Sequence, residues 1–310
     1  MRIKPIGFNF MLPFIEGYAE IVDDDTADFI LTMNIPGHDG ILTTMAARQE
    51  ANRLNIPLCF WTIEDPNGYG MFINEAKLAD LIFTTDKSMI PHYEREVGRN
   101  KTWWLPLAAN ERMHKPMPLA EDATDLVFSG NWYDSQWEAR RWGSSVVMLP
   151  LFDAGYTMTI YSYQPPPYPG MEKFYKGATG CYGVAEQYTH GRVVIGAINQ
   201  RSGLDGRDKT YMTSMRTFET LACEKPYIAP WSDSYEALGF RNGEHMYWCK
   251  TPDETRKCAA WILDTNGGYE RGAEMAARGR EFVLKSHTYG NRVNRIWRAI
   301  CKLADPMEWR

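Results

Sequence analysis

The 310-residue sequence has no uninterrupted apolar run approaching the roughly 20 residues that a bilayer-spanning helix needs, so no transmembrane helix is expected. Its opening, MRIKPIGFNFMLPFIEG, has two early cations but neither a continuous apolar core nor a small-residue cleavage site, and no signal peptide is expected. The six cysteines, Cys59, Cys181, Cys223, Cys249, Cys258 and Cys301, include no CxxC pair, which argues against a zinc cluster. Several fall inside apolar patterns, where a free thiol behaves as a small hydrophobe, and a reducing cytoplasmic setting is expected. A cationic excess is missing too: the net charge of −5 supplies no global pull toward nucleic acid or an anionic membrane, and leaves only local basic grooves open. There is no internal repeat and no low-complexity tract. What remains is the composition of a water-soluble globular protein, 44% hydrophobic and 24% charged. Its length suits two domains of roughly 120–180 residues. The 11 Trp, 17 Tyr and 13 Phe permit stacking on sugars or bases.

Apolar runs alternate with helical patterns through the first half. Ala27–Asn34, Pro57–Ile63, Ala79–Thr84 and Thr102–Leu107 read as buried strands, and Thr43–Leu54 and Lys87–Val97 as helices, with a breaker at Asp65-Pro66-Asn67-Gly68. A polar, proline-bearing segment from Asn110 to Asp125 reads as a linker. The pattern then restarts. Strands are expected at Asp125–Ser129, Thr157–Tyr161, Arg192–Ile198 and Tyr227–Ala229. Helices are expected at Gln136–Met148, Met215–Cys223 and Glu254–Leu263, and two more between Tyr269 and Leu303. Strand–helix alternation at this spacing implies parallel sheets with crossover helices. The expected organisation is an N-terminal Rossmann-like domain over residues 1–120, a second over 121–290, and a C-terminal helix over 291–310 packing back on the first. Two such sheets facing one another would hold ligands in the cleft between their carboxyl ends.

The chemistry concentrates in Ser214-Met215-Arg216-Thr217-Phe218-Glu219. Thr213 or Ser214 is placed to cap the helix. Met215, Phe218, Leu221 and Ala222 share an apolar face, leaving Arg216 and Glu219, three apart, on the other. A helix N-terminus offers N–H groups and positive dipole to a phosphate, Arg216 adds a bidentate partner, and Glu219 can accept two hydrogen bonds from a ribose diol. The same spacing also describes an ordinary surface ion pair. Elsewhere, Asp65 follows a strand, where a carboxylate could act as general base on an acceptor hydroxyl or merely cap the turn. His38, between glycines in Pro36-Gly37-His38-Asp39-Gly40, is a second candidate base or a solvated loop histidine. Asp23-Asp24-Asp25 precedes its strand, the wrong end of a parallel sheet for a metal on a diphosphate, and reads as a solvated loop. His287 reads as structural, and His92, His114, His190 and His245 show no partner pattern.

VVIGAIN, SMRTFETLACEKPYIA, LGFRNGEHMYWCKTPDE and SHTYGNR together resemble the CgeB-like (spore maturation protein type) glycosyltransferases, and FWTIEDPN, ADLIFTTD, WWLPLAAN and VFSGNWY resemble that family's first half and its entry into the second domain. The resemblance implies the GT-B glycosyltransferase fold, α/β with two Rossmann-like domains facing across a cleft. It also implies a hexosyl- or pentosyltransferase using a nucleoside-diphosphate sugar, UDP-linked by preference, without a required metal. By that resemblance Glu219 binds the donor ribose, Ser214, Arg216 and Thr217 meet the diphosphate at the helix start, Gly130 lets the donor approach the backbone, and Asn199 ends the strand leading into the donor loop. One position departs: where many retaining GT-B enzymes have a second glutamate, eight residues before the ribose one, this sequence has Tyr211. Retaining stereochemistry therefore does not carry over. The resemblance implies a surface polymer or a protein as acceptor. Compact enzymes of this fold also glycosylate hydroxymethylated pyrimidines in viral DNA, a reading that would recruit Arg95, Arg99, Lys101, Arg140, Arg141, Arg201, Arg207 and Lys209 as phosphate contacts. The expected setting is the cytoplasm of a bacterial cell or of a virus-infected host. A nucleotide-binding α/β module that has lost transfer chemistry is the non-enzymatic alternative.

Overall fold

The computed structural model describes residues 1–5, 18–34, 40–131, 142–178, 183–196 and 210–304. The chain divides into two compact units, one formed by Met1–Leu107, Ser202–Thr213 and Tyr289–Arg310, the other by Ala108–Arg201 and Ser214–Thr288.

The first unit is built on a parallel sheet of six strands, β1 (Arg2–Pro5), β2 (Glu20–Ile21), β3 (Phe29–Asn34), β4 (Leu58–Thr62), β5 (Leu81–Thr84) and β6 (Thr102–Trp104), in the order β2-β1-β3-β4-β5-β6. β4 is buried along its whole length, which is why LCFWT is a continuous apolar run rather than an alternating one. Its Leu58 and Phe60 pack with Ile30 and Ile82 against Ala47 and Ala51 of the helix Gly40–Leu54, and against Phe72 and Ala76 of the helix Tyr69–Ala76. On β4's other face Trp61 donates its indole N–H to the Leu105 carbonyl at 3.0 Å and sets its ring edge-on to Tyr289, with centroids 6.4 Å apart.

Tyr289 opens the last helix, Tyr289–Ala304, whose Val293, Ile296 and Ile300 form a buried stripe at helical spacing. Arg292 lies on the same side, only 1% exposed, and donates to the Pro106 and Leu107 carbonyls at 2.6 and 2.9 Å. Burial and the neighbouring Arg295 charge pull its pKa down to about 9.

The expected strands and helices of this unit are present. β1, β2 and the helix Tyr69–Ala76 were not foreseen, since the strands are too short to show a period and the helix hides behind the Pro-Asn-Gly breaker. Gly68 is what allows that helix to start tightly: a β-carbon there would lie 2.2 Å from the Phe72 ring. The acidic run is a loop, in which Asp24 accepts from the Thr26 amide and Asp25 pairs with Arg53.

The second unit has a five-stranded parallel sheet: β7 (Thr124–Ser129), β8 (Met158–Tyr161), β9 (Gly191–Ile195), β10 (Tyr227–Pro230) and β11 (Tyr247–Cys249), ordered β11-β10-β9-β7-β8. β11, only three residues long, was not foreseen. Leu126, Phe128, Met158, Ile160, Val193, Ile195 and Ile228 form the sheet side of one core, met by Val146, Leu151, Ala259, Ile262 and Met275 from the covering helices. The expected helix Gln136–Met148 falls partly outside the described residues. Its described end is a wide turn, Ser144–Met148, running into the helix Leu149–Asp153.

The start of the presumed linker is corrected. Asn110 and His114 are buried in a turn, and Ala109 donates to the His287 carbonyl at 3.0 Å and bridges to Thr288. A run of polar residues resembles a solvated connection unless its hydrogen-bond partners are known.

Candidate functional site

In the second unit, the carboxyl ends of β7 and β9 and the start of the helix Met215–Ala222 bring several of the expected residues together. Phe218, Leu221 and Ala222 anchor this helix in the core. Ser214 is its N-cap by backbone, with φ −58° and ψ 139°, but its hydroxyl makes no capping bond, so the expected side-chain cap is absent. Arg216 is drawn back over the end of β7. Its Nε donates to the Ser129 carbonyl at 2.5 Å, and its guanidinium lies 5.0 Å from the Phe128 ring centroid. The guanidinium also occupies the space a side chain at Gly130 would take, since a β-carbon there would sit 2.0 Å from Nη2. Gly130 and Arg216, 86 positions apart by their numbers, therefore form one feature: the missing side chain makes the seat for the cation. Ser129 is fixed in turn, its hydroxyl donating to Gln187 Oε1 at 2.5 Å.

One turn further along the same helix, Glu219 is only 5% exposed. This corrects the expectation of a shared outer face. Glu219 is not half of a surface ion pair, because the helix turns it inward between the core and Arg216. Burial raises its pKa to about 7, while the Arg216 charge and the Tyr188 hydroxyl oppose the rise. Two groups around it were missed in the sequence. Tyr188 is fully buried, in the short turn Tyr188–His190. His114, 2% exposed, places Nε2 3.6 Å from Glu219 Oε1. Neither has a sequence signal of its own, since each meets Glu219 only through the fold.

The remaining candidates separate. Thr217 is corrected: it is fully buried and its N–H donates to the Ser214 carbonyl at 3.1 Å, so neither its side chain nor its amide is presented at the helix start. Asn199 and His38 lie outside the described residues. Asp65, in the first unit, is corrected as well. It stands just past β4 as foreseen, but at 1% exposure it accepts hydrogen bonds from Thr62, from Thr84 at 2.6 Å and from Tyr93 at 2.9 Å. Burial raises its pKa to about 7 against those three donors. It is a structural hub tying β4 to β5 and to the helix Ile90–Val97, turned away from solvent. Tyr211, at the departing position, lies in the first unit beneath Lys87, whose Nζ is 3.9 Å from its ring centroid, and edge-on to Trp104. Among the described residues no helix is long and apolar enough to cross a membrane, and no group of three His, Cys, Asp or Glu is placed to hold a metal ion.

Two α/β units, each built on a parallel sheet, are the architecture of the GT-B glycosyltransferase fold. HepE from Anabaena, solved with UDP and glucose, aligns with a TM-score of 0.59 at 12% identity over 90% of this chain and 79% of its own. A TarM variant from S. aureus, solved with UDP, alpha-GlcNAc-glycerol and Fondaparinux, aligns with a TM-score of 0.58 at 10% identity over 93% of this chain and 58% of its own. Residues 136–298 match the Glycosyl transferase-like family model, and the chain belongs to that family: it is a glycosyltransferase. The spore protein CgeB of Bacillus subtilis (strain 168) is 24% identical over 235 residues, which cover 66% of this chain and 68% of CgeB.

Proposed function

We propose that the enzyme moves a sugar from a UDP-linked donor to an acceptor hydroxyl, with the nucleotide held by the second unit. The observation that carries this is the seating of Arg216 in the space left by Gly130, with Glu219 one turn behind it. A diphosphate at the start of the helix Met215–Ala222 meets the positive end of the helix dipole and the guanidinium. Those same groups stabilise the charge that develops on UDP as the sugar–phosphate bond breaks, which supplies electrostatically what a metal would otherwise supply. Glu219, when ionised, accepts both ribose hydroxyls. Gly130, bare of a side chain, leaves the room in which the guanidinium is held at the end of β7, so its part in the site is to seat Arg216. HepE and TarM, the first solved with UDP and glucose and the second with UDP, support the choice of nucleotide. Because Asp65 is enclosed, His38 is the stronger candidate for the acceptor base.

The test is a panel of UDP-, GDP-, ADP- and dTDP-sugars, read by thermal shift and by slow donor hydrolysis. UDP or one UDP-sugar is expected to raise the melting temperature by mass action and to be hydrolysed without acceptor. Binding without hydrolysis, and without transfer to glycans, protein or hydroxymethylated DNA, would point to a binding module instead. No shift with any nucleotide would defeat the donor assignment.

A sharper result is expected from Gly130→Ala. The new methyl collides with the Arg216 guanidinium and adds backbone strain at a φ of +159°, so Arg216 is pushed from its seat at some cost in stability. UDP affinity of the folded variant should fall about tenfold, with a melting temperature lowered by roughly a few degrees. Unchanged affinity would mean that Arg216 is not a phosphate ligand.

A further inference from the structure

We propose that His114 is a positioning residue of the donor site, one that holds the Glu219 carboxylate in the orientation that meets the ribose diol. The role rests on the donor reading given above.

His114 sits at the end of a turn that leaves its ring little freedom. The Asn110 carbonyl accepts from the Met113 amide at 3.0 Å and the His114 amide at 2.8 Å, and Asn110 Oδ1 accepts from the Arg112 amide at 2.9 Å. The Asn110 amide donates back to His114 Nδ1 at 3.2 Å. Nδ1 is therefore an acceptor, which leaves the proton of the neutral ring on Nε2. That nitrogen is the one 3.6 Å from Glu219 Oε1. The distance is longer than a hydrogen bond and describes a charge–dipole contact, stronger in a buried site than in water.

The ring acts as a dipole and not as a cation, since burial lowers its pKa to about 4. The other groups around Glu219 are Arg216 on its own helix, Cys223 just past that helix's end, Tyr188 from the turn after Gln187, and Tyr227 from β10, with Lys225 and Arg280 beyond Cys223. Arg216 favours the carboxylate, yet its Nε is committed to the Ser129 carbonyl. Tyr188 favours it from its buried turn. His114 approaches from a third element, the turn that starts at Asn110. A carboxylate that titrates near neutrality is sensitive to the loss of any one such partner.

The experiment measures UDP affinity by calorimetry between pH 6 and 9 for wild type, His114→Phe, His114→Gln and Glu219→Ala. Phenylalanine keeps the ring volume without the N–H, and glutamine returns an N–H at similar reach. His114→Phe is expected to weaken UDP binding about fivefold at pH 7.5. It should also move the midpoint of the acid limb to higher pH, because Glu219 then ionises less readily. His114→Gln should return to within about twofold of wild type. UDP's own phosphate titrates in every variant and cancels in the comparison.

Wild-type affinity and an unmoved midpoint in His114→Phe, alongside a large loss in Glu219→Ala, would overturn the role of His114 and leave the donor reading intact. A loss in His114→Phe that glutamine does not restore, with the midpoint unmoved, would show packing alone and equally overturn it. If Glu219→Ala binds UDP as wild type does, the donor reading itself fails. Should His114→Phe not fold, His114→Leu carries the same comparison.

Discussion

A Glu219→Ala variant is expected to bind UDP about a hundredfold more weakly than wild type at pH 8. Two hydroxyl donors on a carboxylate are charge-assisted hydrogen bonds, together worth about 3 kcal/mol. Little of that loss should come from misfolding. The helix Met215–Ala222 is held by Phe218, Leu221 and Ala222, none of which is touched. Removing Glu219 also removes a group whose folded pKa lies near 7 against an ordinary value of 4.5. The sign follows from linkage. A carboxyl with a raised folded pKa stabilises the fold fully below about pH 4.5 and loses that contribution as pH rises through 7. The stability of the alanine variant relative to wild type should therefore improve between pH 5 and pH 8, while its UDP affinity stays low. UDP binding to wild type should fall as pH drops through about 7, because the protonated acid accepts poorly. Calorimetric titration with UDP checks the affinity, and a loss below about threefold would remove Glu219 from the ribose site.

Asp65→Ala is expected to destabilise the first unit by on the order of 3 kcal/mol, a fall in melting temperature of roughly 10 °C. The carboxyl accepts from Thr62, Thr84 and Tyr93. When it is removed, the Thr62 and Thr84 hydroxyls keep the Phe83 and Asp86 carbonyls as alternatives, at 3.3 and 3.1 Å. The Tyr93 hydroxyl loses its carboxylate acceptor and keeps the Thr62 hydroxyl as a neighbour, beside a cavity. Asp65→Asn separates hydrogen bonding from charge. Asp65 has its pKa raised from 3.8 to about 7, so its contribution is present below pH 4 and lost as pH climbs through 7. The melting deficit of Asp65→Asn should accordingly be largest near pH 4.5 and shrink toward pH 8. A deficit that does not change with pH would show that Asp65 is ionised throughout, and would reopen it as a general base.

The two parallel sheets were legible because buried parallel strands are apolar on both faces and stand out as continuous runs, LCFWT in β4 and LVF in β7 being the clearest. Elements of two to four residues, β1, β2 and β11, carry too few side chains to show a period. On the helix Met215–Ala222, sequence spacing brought Arg216 and Glu219 together, yet it assigned both to an outer face. Burial of a charged side chain depends on partners from other elements, here Ser129, Tyr188 and His114, and periodicity knows nothing of them. Asp65 was misread for a related reason. Its position after a strand was visible, but the three hydroxyls that enclose it come from Thr62, Thr84 and Tyr93, the last 28 residues away.

Arg292 and the carbonyls it binds at Pro106 and Leu107 are separated by 186 and 185 residues. A ribosome releases the six strands of the first unit early and the arginine only after the whole second unit has been made. The nascent sheet thus waits, with the Trp61 face lacking Tyr289 and two buried carbonyls lacking their donor, while the second unit has every element it needs. The part of the chain synthesised first is the part completed last, which reverses the usual order of folding during translation.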